Sequence, residues 1–420
     1  MTTPSLSEMV SVFGRIGLLS FGGPAAQIAL MHRELVEERP WLTEQQYLNA
    51  LSFCMLLPGP EAMQLATYAG WRMQGVRGGL IAGLLFVVPG ALVIMALSGL
   101  YAALGDVPLV EALFLGIKCT VVVIVLQALR KVAKKALTSR GHWIVAGMSF
   151  AAIFLFNLPF PLIIAVAAVW GYLTSRGASS EAAPAANVPL AATLRTVALW
   201  GALWAAPIAL AMLAGWPLLT EIGLFFSRLA VVTFGGAYAV LAYMTQAVVV
   251  EHGWLTTAQM MDGLGLAETT PGPLILVTQF VGFQAGHAAG GAALGLAAAL
   301  MVLWVTFTPC FLWIFAGAPY IEWISARPAL SGALKAITAA VVGVILNLSI
   351  WFALHVYFAR LEVAELGPAR LLMPELASLQ PFAIALTALA AILLLRFRIN
   401  LLLVLPVMAA AGAAGLTLAG

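Results

Sequence analysis

The sequence predicts an all-α polytopic membrane protein, built as an inverted-topology repeat of two homologous halves and containing helices broken or re-entrant within the bilayer. Three observations predict it: an apolar composition, a Gly- and Pro-rich phrase stated twice in one register, and the loss of positive charge from the second copy. Of 420 residues, 63% are hydrophobic and 9% charged, and the mean hydropathy is +1.03. No soluble domain can hide that much apolar surface. The net charge of +3 is too small to point to nucleic acid. The start, MTTPSLSEMV, lacks a basic n-region, so we read no cleaved signal peptide. Ser5 and Glu8 have capping-box spacing and predict a helix start there.

Apolar segments then follow at 9–31, 47–71, 79–100, 109–129, 142–158, 159–173, 194–214, 217–244, 260–284, 288–317, 329–358, 376–395 and 399–419. Between the sixth and seventh lies TSRGASSEAAPAANVPLAAT, residues 174–193, small, polar and Pro-containing, which reads as a linker. It separates a first repeat, 1–173, from a second, 194–420.

The repeat is direct. At an offset of 213 without a gap, Phe13, Arg15, Phe21-Gly22-Gly23, Trp41-Leu42-Thr43 and Pro58-Gly59-Pro60 coincide with Phe226, Arg228, Phe234-Gly235-Gly236, Trp254-Leu255-Thr256 and Pro271-Gly272-Pro273. Glu8 and Glu221 extend the match. Shared membrane composition does not produce such phrases in register, so the chain is a duplication.

Charge predicts that the halves are inverted. The loop 32–46 carries Arg33 and Arg39, and Arg72 and Arg77 follow the first Pro-Gly-Pro segment; the counterparts 245–259 and 284–288 carry no Lys or Arg. Basic residues mark the cytoplasmic side, as does the run Arg130, Lys131, Lys134, Lys135 and Arg140. Five crossings from 79–100 to 194–214 then place the second copy's loop on the other side. The count requires the motif segments to enter and return as hairpins, broken at Phe-Gly-Gly and Pro-Gly-Pro, since Pro ends one helix and suits the first turn of the next. Ordinary kinked spanning helices are the alternative. Bare backbone at membrane depth is tolerated where it lines a cavity or is buried in protein. Four broken segments therefore imply a cavity.

Paired broken helices in repeated halves mark the binding site of a transporter, where half-helix N-termini face an anion. The candidate ligands are Gly22, Gly23, Gly235 and Gly236, the turns Pro58, Gly59, Pro60 and Pro271, Gly272, Pro273, and Gln64. Arg15 and Arg228 join them, since a charge in apolar sequence costs a few kcal/mol unless it faces a cavity or partner. Pairing with Glu8 and Glu221, or snorkelling, is the structural alternative. Lys118, in LFLGIKCTVVVIV, is a further candidate, with a Glu111 pair or snorkelling as its alternative, and Lys335 stands near the equivalent place. Glu61 and Glu268 flank the Pro-Gly-Pro turns and are candidates for proton coupling or for capping half-helix N–H groups. Gln279 and Thr278 could line a pore. Glu38, Glu251, Trp41 and Trp254 read as loop and aromatic-belt residues. Cys54, Cys119 and Cys310 read as small buried hydrophobes. The dispersed histidines give no metal-ligand spacing, and no cofactor or enzyme activity is expected.

The two stretches from Ser20 to Gly79 and from Thr233 to Gly286 closely resemble the paired signature regions of the chromate ion transporter family, in its long, two-domain form. The resemblance spans the whole chain. It implies a multi-pass protein of the bacterial or archaeal inner membrane that exports chromate by proton motive force and confers resistance. Where the family often has Asn-Ser-Thr-Gln after the first Pro-Gly-Pro, this chain has Glu61-Ala62-Met63-Gln64. A sulfate-type importer or exchanger, or an anion channel, of the same fold is the other reading. Chromate, with sulfate as second candidate, the lipid bilayer and a homodimer partner are the implied associations.

Overall fold

The computed structural model describes residues 4–21, 23–105, 107–175, 189–234, 237–321, 327–366 and 369–419. Among the described residues the fold is almost wholly helical. The first half runs α1 (Leu6–Leu19), α2 (Gly23–His32), a π-helical turn (Arg33–Glu37), α3 (Glu44–Cys54), α4 (Glu61–Leu104), α5 (Pro108–Ala136), α6 (Arg140–Phe154) and α7 (Phe160–Ser175). After α8 (Leu190–Leu213) come α9 (Pro217–Val232), α10 (Ala237–Gln246), a π-helical turn (Ala247–Glu251), α11 (Thr257–Thr269), α12 (Val277–Gly317) and α13 (Pro328–Tyr357). The order of α1 to α5 thus recurs in α9 to α13, π turns included. A short antiparallel hairpin, β1 (Leu361–Leu366) and β2 (Ala369–Pro374), precedes α14 (Pro381–Ala391) and α15 (Leu401–Ala419). The sequence reading had no strands here. Most of the predicted linker, 176–188, lies outside the described residues.

Local chemistry explains the recurrence. The capping box at Ser5 forms as predicted: Ser5 Oγ accepts from the Glu8 amide and the Glu8 carboxylate accepts from the Ser5 amide. The repeated Trp-Leu-Thr phrase turns out to be a helix start. Thr43 Oγ1 accepts from the Gln46 amide at 3.2 Å, and Gln46 Oε1 accepts from the Thr43 amide at 3.1 Å. Thr256 and Gln259 repeat the pair at 3.2 and 2.9 Å. Each phrase caps the helix leading into a Pro-Gly-Pro turn.

Helices α4 and α12 are each folded back on themselves. Gln74 (φ −135°) and Gly75 (φ 61°) are non-helical within α4, as are Gly290 and Gly291 within α12. A Cβ on Gly70 would meet Gly78 and Ala82, and one on Gly286 would meet Leu294 and Ala298, so the two arms of each helix run antiparallel in close contact. Small residues permit that approach. Pro-Gly-Pro interrupts the apolar segment 47–71, as the sequence reading had it, and the second part of that segment pairs with 79–100 across Gly75.

Among the described residues, five helices, including α4, α5, α8 and α13, are long and apolar enough to cross a membrane. The chain forms two compact units, Met1–Gly99 with Thr174–Val240 and Thr270–Ser331, and Leu100–Leu173 with Leu241–Thr269 and Gly332–Gly420. Each unit takes chain from both sequence copies. In the first, α12 packs on α8 and α9, and Trp204 and Trp304 donate to the carbonyls of Val305 and Leu203 at 3.0 and 2.7 Å. In the second, α5 packs on α15, where Gly116 admits the Met408 backbone, and Gly343 of α13 admits Ala146 of α6.

Candidate functional site

All four predicted breaks are present: α1 stops at Leu19 and α2 starts at Gly23, α3 stops at Cys54 and α4 starts at Glu61, and the second copy repeats both interruptions. Within the first unit the breaks meet crosswise. The Gly272 amide donates to the Ser20 carbonyl at 2.9 Å, and the Gly59 amide donates to the Thr233 carbonyl at 2.7 Å. Ser20 and Thr233 are equivalent under the duplication, as are Gly59 and Gly272. Each copy's Pro-Gly-Pro turn is therefore tied to the residue just before the other copy's Phe-Gly-Gly. Ser20 and Thr233 both turn their hydroxyls back on the helix, donating to Ile16 and Leu229 at 2.6 and 2.7 Å, which leaves their carbonyls for the exchange.

Buried glutamines lace the remaining backbone. Gln27 Nε2 donates to the carbonyls of Gly272 (2.7 Å) and Ser20 (3.2 Å), Gln64 to Pro58 (2.7 Å), and Gln279 to Ala91 (3.0 Å). Irregular buried backbone must find partners, and these amides supply them. Thr278 bonds to the Ile275 carbonyl in its own helix. Gly59 has φ +118° and Gly272 φ +91°, a region that favours glycine. Both amides are already committed to carbonyls, so these turns brace the arrangement. Gly23, at φ +76°, opens α2 onto free space, since a Cβ built there meets nothing within 4 Å. Its neighbour Gly22, and Gly235 and Gly236, lie outside the described residues.

The charged candidates have partners that sequence reading did not choose. Glu8 serves its own helix cap, and Arg15 faces Glu34 instead, at 3.6 Å. Glu34 is fully buried and also takes Arg39 at 2.6 Å. Arg228 donates from Nε to the Leu224 carbonyl at 3.3 Å and is exposed. Glu61 opens the first turn of α4, where a carboxylate suits the helix dipole. Glu268 is buried in the last turn of α11. Lys118 belongs to the second unit, where its Nζ lies 2.8 Å from Asp262 Oδ1, and Tyr101 donates to Asp262 Oδ2 at 2.8 Å. Its side chain is 17% exposed and that of Asp262 8%, so this is a buried ion pair; Glu111 is not the partner. Lys335 is exposed. Cys54, Cys119 and Cys310 are buried, as read from sequence.

Asp262, Gln27 and Glu34 were missed. Asp262 had a signal: it replaces Asn49 of the first copy and is one of two aspartates in the chain. Gln27 faces a valine in the second copy, so the repeat pattern concealed it.

The Arg15 geometry gives a clean test. Its side chain is 52% exposed, and Arg39 keeps Glu34 paired without it. Arg15→Gln is expected to cost below about 1 kcal/mol of stability, whereas Arg39→Gln strands a buried carboxylate and costs several-fold more. Thermal unfolding of the two purified variants measures the difference; equal losses would show that Arg15 is the principal partner.

Fold and site together define a multi-pass α-helical membrane protein whose broken helices are tied crosswise between duplicated halves. The chain belongs to the chromate transporter family, whose model matches residues 7–172 and 220–416. It is 32% identical over 350 residues to the chromate transport protein of Pseudomonas aeruginosa, covering 81% of this chain and 79% of that one. It is 29% identical over 350 residues to the chromate transport protein of Cupriavidus metallidurans, covering 82% and 81%. No solved structure matches the chain.

Proposed function

We propose that this protein exports chromate across the inner membrane of a bacterium or archaeon, driven by the proton motive force, and thereby confers chromate resistance. The observation that carries the reading is the crosswise pairing of Gly59 with Thr233 and Gly272 with Ser20. It gathers the interrupted helices of both copies at one place, the arrangement expected of a transporter site. The opening of α2 at Gly23 onto free space supports an anionic cargo, because a helix N-terminus carries roughly half a positive charge. The names of the relatives support chromate as that anion.

In this proposal Arg15 and Arg228 supply the remaining positive charge, and Lys118 is a separate candidate ligand within the second unit. Gly22, Gly23, Gly235 and Gly236 supply backbone N–H groups, and Gln64 with residues 58–60 and 271–273 shapes the site. Glu61 and Glu268 carry the coupled proton. Repeats 1–173 and 194–420, joined by 174–193, face opposite sides of the membrane.

Reconstituted vesicles test the function. With a pH difference imposed, labelled chromate is expected to accumulate against its gradient; equilibration without accumulation would make the protein a channel. Orientation has its own test. Single cysteines at Gln45 and Thr257, in a cysteine-free background, are expected to react with an impermeant maleimide from opposite faces. Reaction from the same face would end the inverted arrangement.

A further inference from the structure

We propose that the second unit holds a binding site for an uncharged amphiphile, a lipid-like molecule with a hydroxyl-bearing head and an apolar tail. A cavity of about 260 Å³ lies among α6, α10, the second π-helical turn, α13 and the β-hairpin. Its polar wall is Asn157, Thr245, Gln246 and Asn347; Trp351 and leucines make up much of the rest. None of the lining residues is charged. A dianion in such a place would lack compensating charge, and a phospholipid headgroup would leave its phosphate unpaired. A neutral head that donates and accepts hydrogen bonds suits it.

Three independent features converge on the polar wall. Thr245 is 2% exposed, and its Oγ1 has no hydrogen-bond partner. Buried hydroxyls at Ser20, Thr67, Ser98, Thr120, Thr233 and Ser349 each donate to the carbonyl four residues earlier; Ser227 and Thr306 also make no such bond, but of these unpartnered hydroxyls only that of Thr245 lines this cavity. An unmade buried hydrogen bond is costly, and Thr245 lines the cavity. Second, the Asn157 side-chain carbonyl accepts from Gln246 Nε2 at 2.7 Å, which fixes these two polar side chains against each other on the wall. Third, the π-helical turn Ala247–Glu251, directly after Gln246, brings Val250 to the cavity beside the polar wall.

The hairpin wall of the cavity comes from the second copy. In the first, residues 137–139 alone join α5 to α6; in the second, 358–380 carry the hairpin between α13 and α14. Val363 of β1 and its partner Leu372 of β2 both line the cavity. Val250 and Val363, 73% and 60% exposed, form its rim and give an apolar tail a way out. The site thus joins a small polar pocket to an apolar exit. A monoacylglycerol, with a hydroxyl-bearing head and an apolar tail, matches that lining.

The test uses the purified full-length protein and a monoacylglycerol with a photoreactive diazirine in its acyl chain. Irradiation and peptide mapping are expected to place label within 241–251 and 347–354. Thr245→Val, which keeps shape and removes the hydroxyl, is expected to weaken binding about fivefold. Leu348→Trp and Leu372→Trp each fill the cavity from a different element and are expected to reduce labelling at least about tenfold. Each variant is scored only as folded protein by its melting transition, and two filling positions guard against failure of one. Unlabelled monoacylglycerol is expected to compete, and phosphatidylglycerol and chromate are not. Label spread evenly over the apolar helices, or unchanged in the filled variants, overturns the site. Competition by chromate or by phosphatidylglycerol overturns the assignment to a neutral ligand.

Discussion

Gly272→Leu is expected to insert into the membrane and lose chromate flux to the level of empty vesicles. The reason is the place where the two copies are tied. Gly272 sits at φ +91°, with its amide on Ser20, and a Cβ there would lie 3.0 Å from Leu276 Cδ1 and 3.4 Å from Gly90 Cα. Forcing a side chain into that backbone region costs about 1–3 kcal/mol. The turn's cheapest relief is to leave the Ser20 carbonyl, which uncouples it from the end of α1. Gly59→Leu is expected to act in the same way, because φ is +118° and the new Cβ would lie 2.8 Å from Gln64 Nε2 and 3.0 Å from Cys310 Sγ. The smallest form of the experiment is Gly90→Ala, whose methyl would run into the Pro271 carbonyl. Overpacking of this kind costs about 1–3 kcal/mol. Flux in reconstituted vesicles, normalised to folded protein, decides the matter. Parental flux in both leucine variants would move the site away from the crossed turns.

Lys118→Met is expected to be among the most destabilising substitutions in the chain, at about 3–5 kcal/mol, because it leaves the Asp262 carboxylate buried without its cation. Asp262→Leu strands the ammonium and is expected to cost a similar amount. The double variant should recover most of the loss, since two apolar side chains replace a desolvated ion pair at little net cost. Tyr101→Phe removes one charge-assisted hydrogen bond and should cost about 1.5–3 kcal/mol. Thermal unfolding of the four proteins tests the pairing; additive losses in the double variant would show that the two charges do not depend on each other. The double variant's flux then decides the role of Lys118. A stable protein with parental flux would remove Lys118 from the ligand set.

Sequence reading went furthest where chemistry is local. Ser5 and Glu8 announced their capping box, the Pro and Gly pairs announced all four helix breaks, and the apolar segments announced the membrane helices. These features depend on residues a few positions apart, which is why a pattern can show them. The Trp-Leu-Thr phrase served in the sequence only as a mark of the repeat; its threonine caps a helix, a use that becomes visible once Gln46 and Gln259 are counted with it. The hairpin at 361–374 was not foreseen, because LEVAELGPARLLMP offers few residues per strand and lies between stronger helical signals.

Pairing was the part beyond reach. Spacing on one helix favoured Glu8 for Arg15 and Glu111 for Lys118, yet the partners are Glu34 and Asp262, on other elements. A helix offers neighbours at three and four residues to any long side chain, so proximity in sequence is a weak guide once burial is at stake. The sequence by itself determined a helical membrane chain and the motifs near which its helices are interrupted. Tertiary structure alone decided that Gly59 meets Thr233 and Gly272 meets Ser20, that α4 and α12 fold back on themselves, and which carboxylates face Arg15 and Lys118. The physical reason is that an interrupted helix leaves backbone groups that must be satisfied, while the identity of the group that satisfies them depends on what packing brings within about 3 Å.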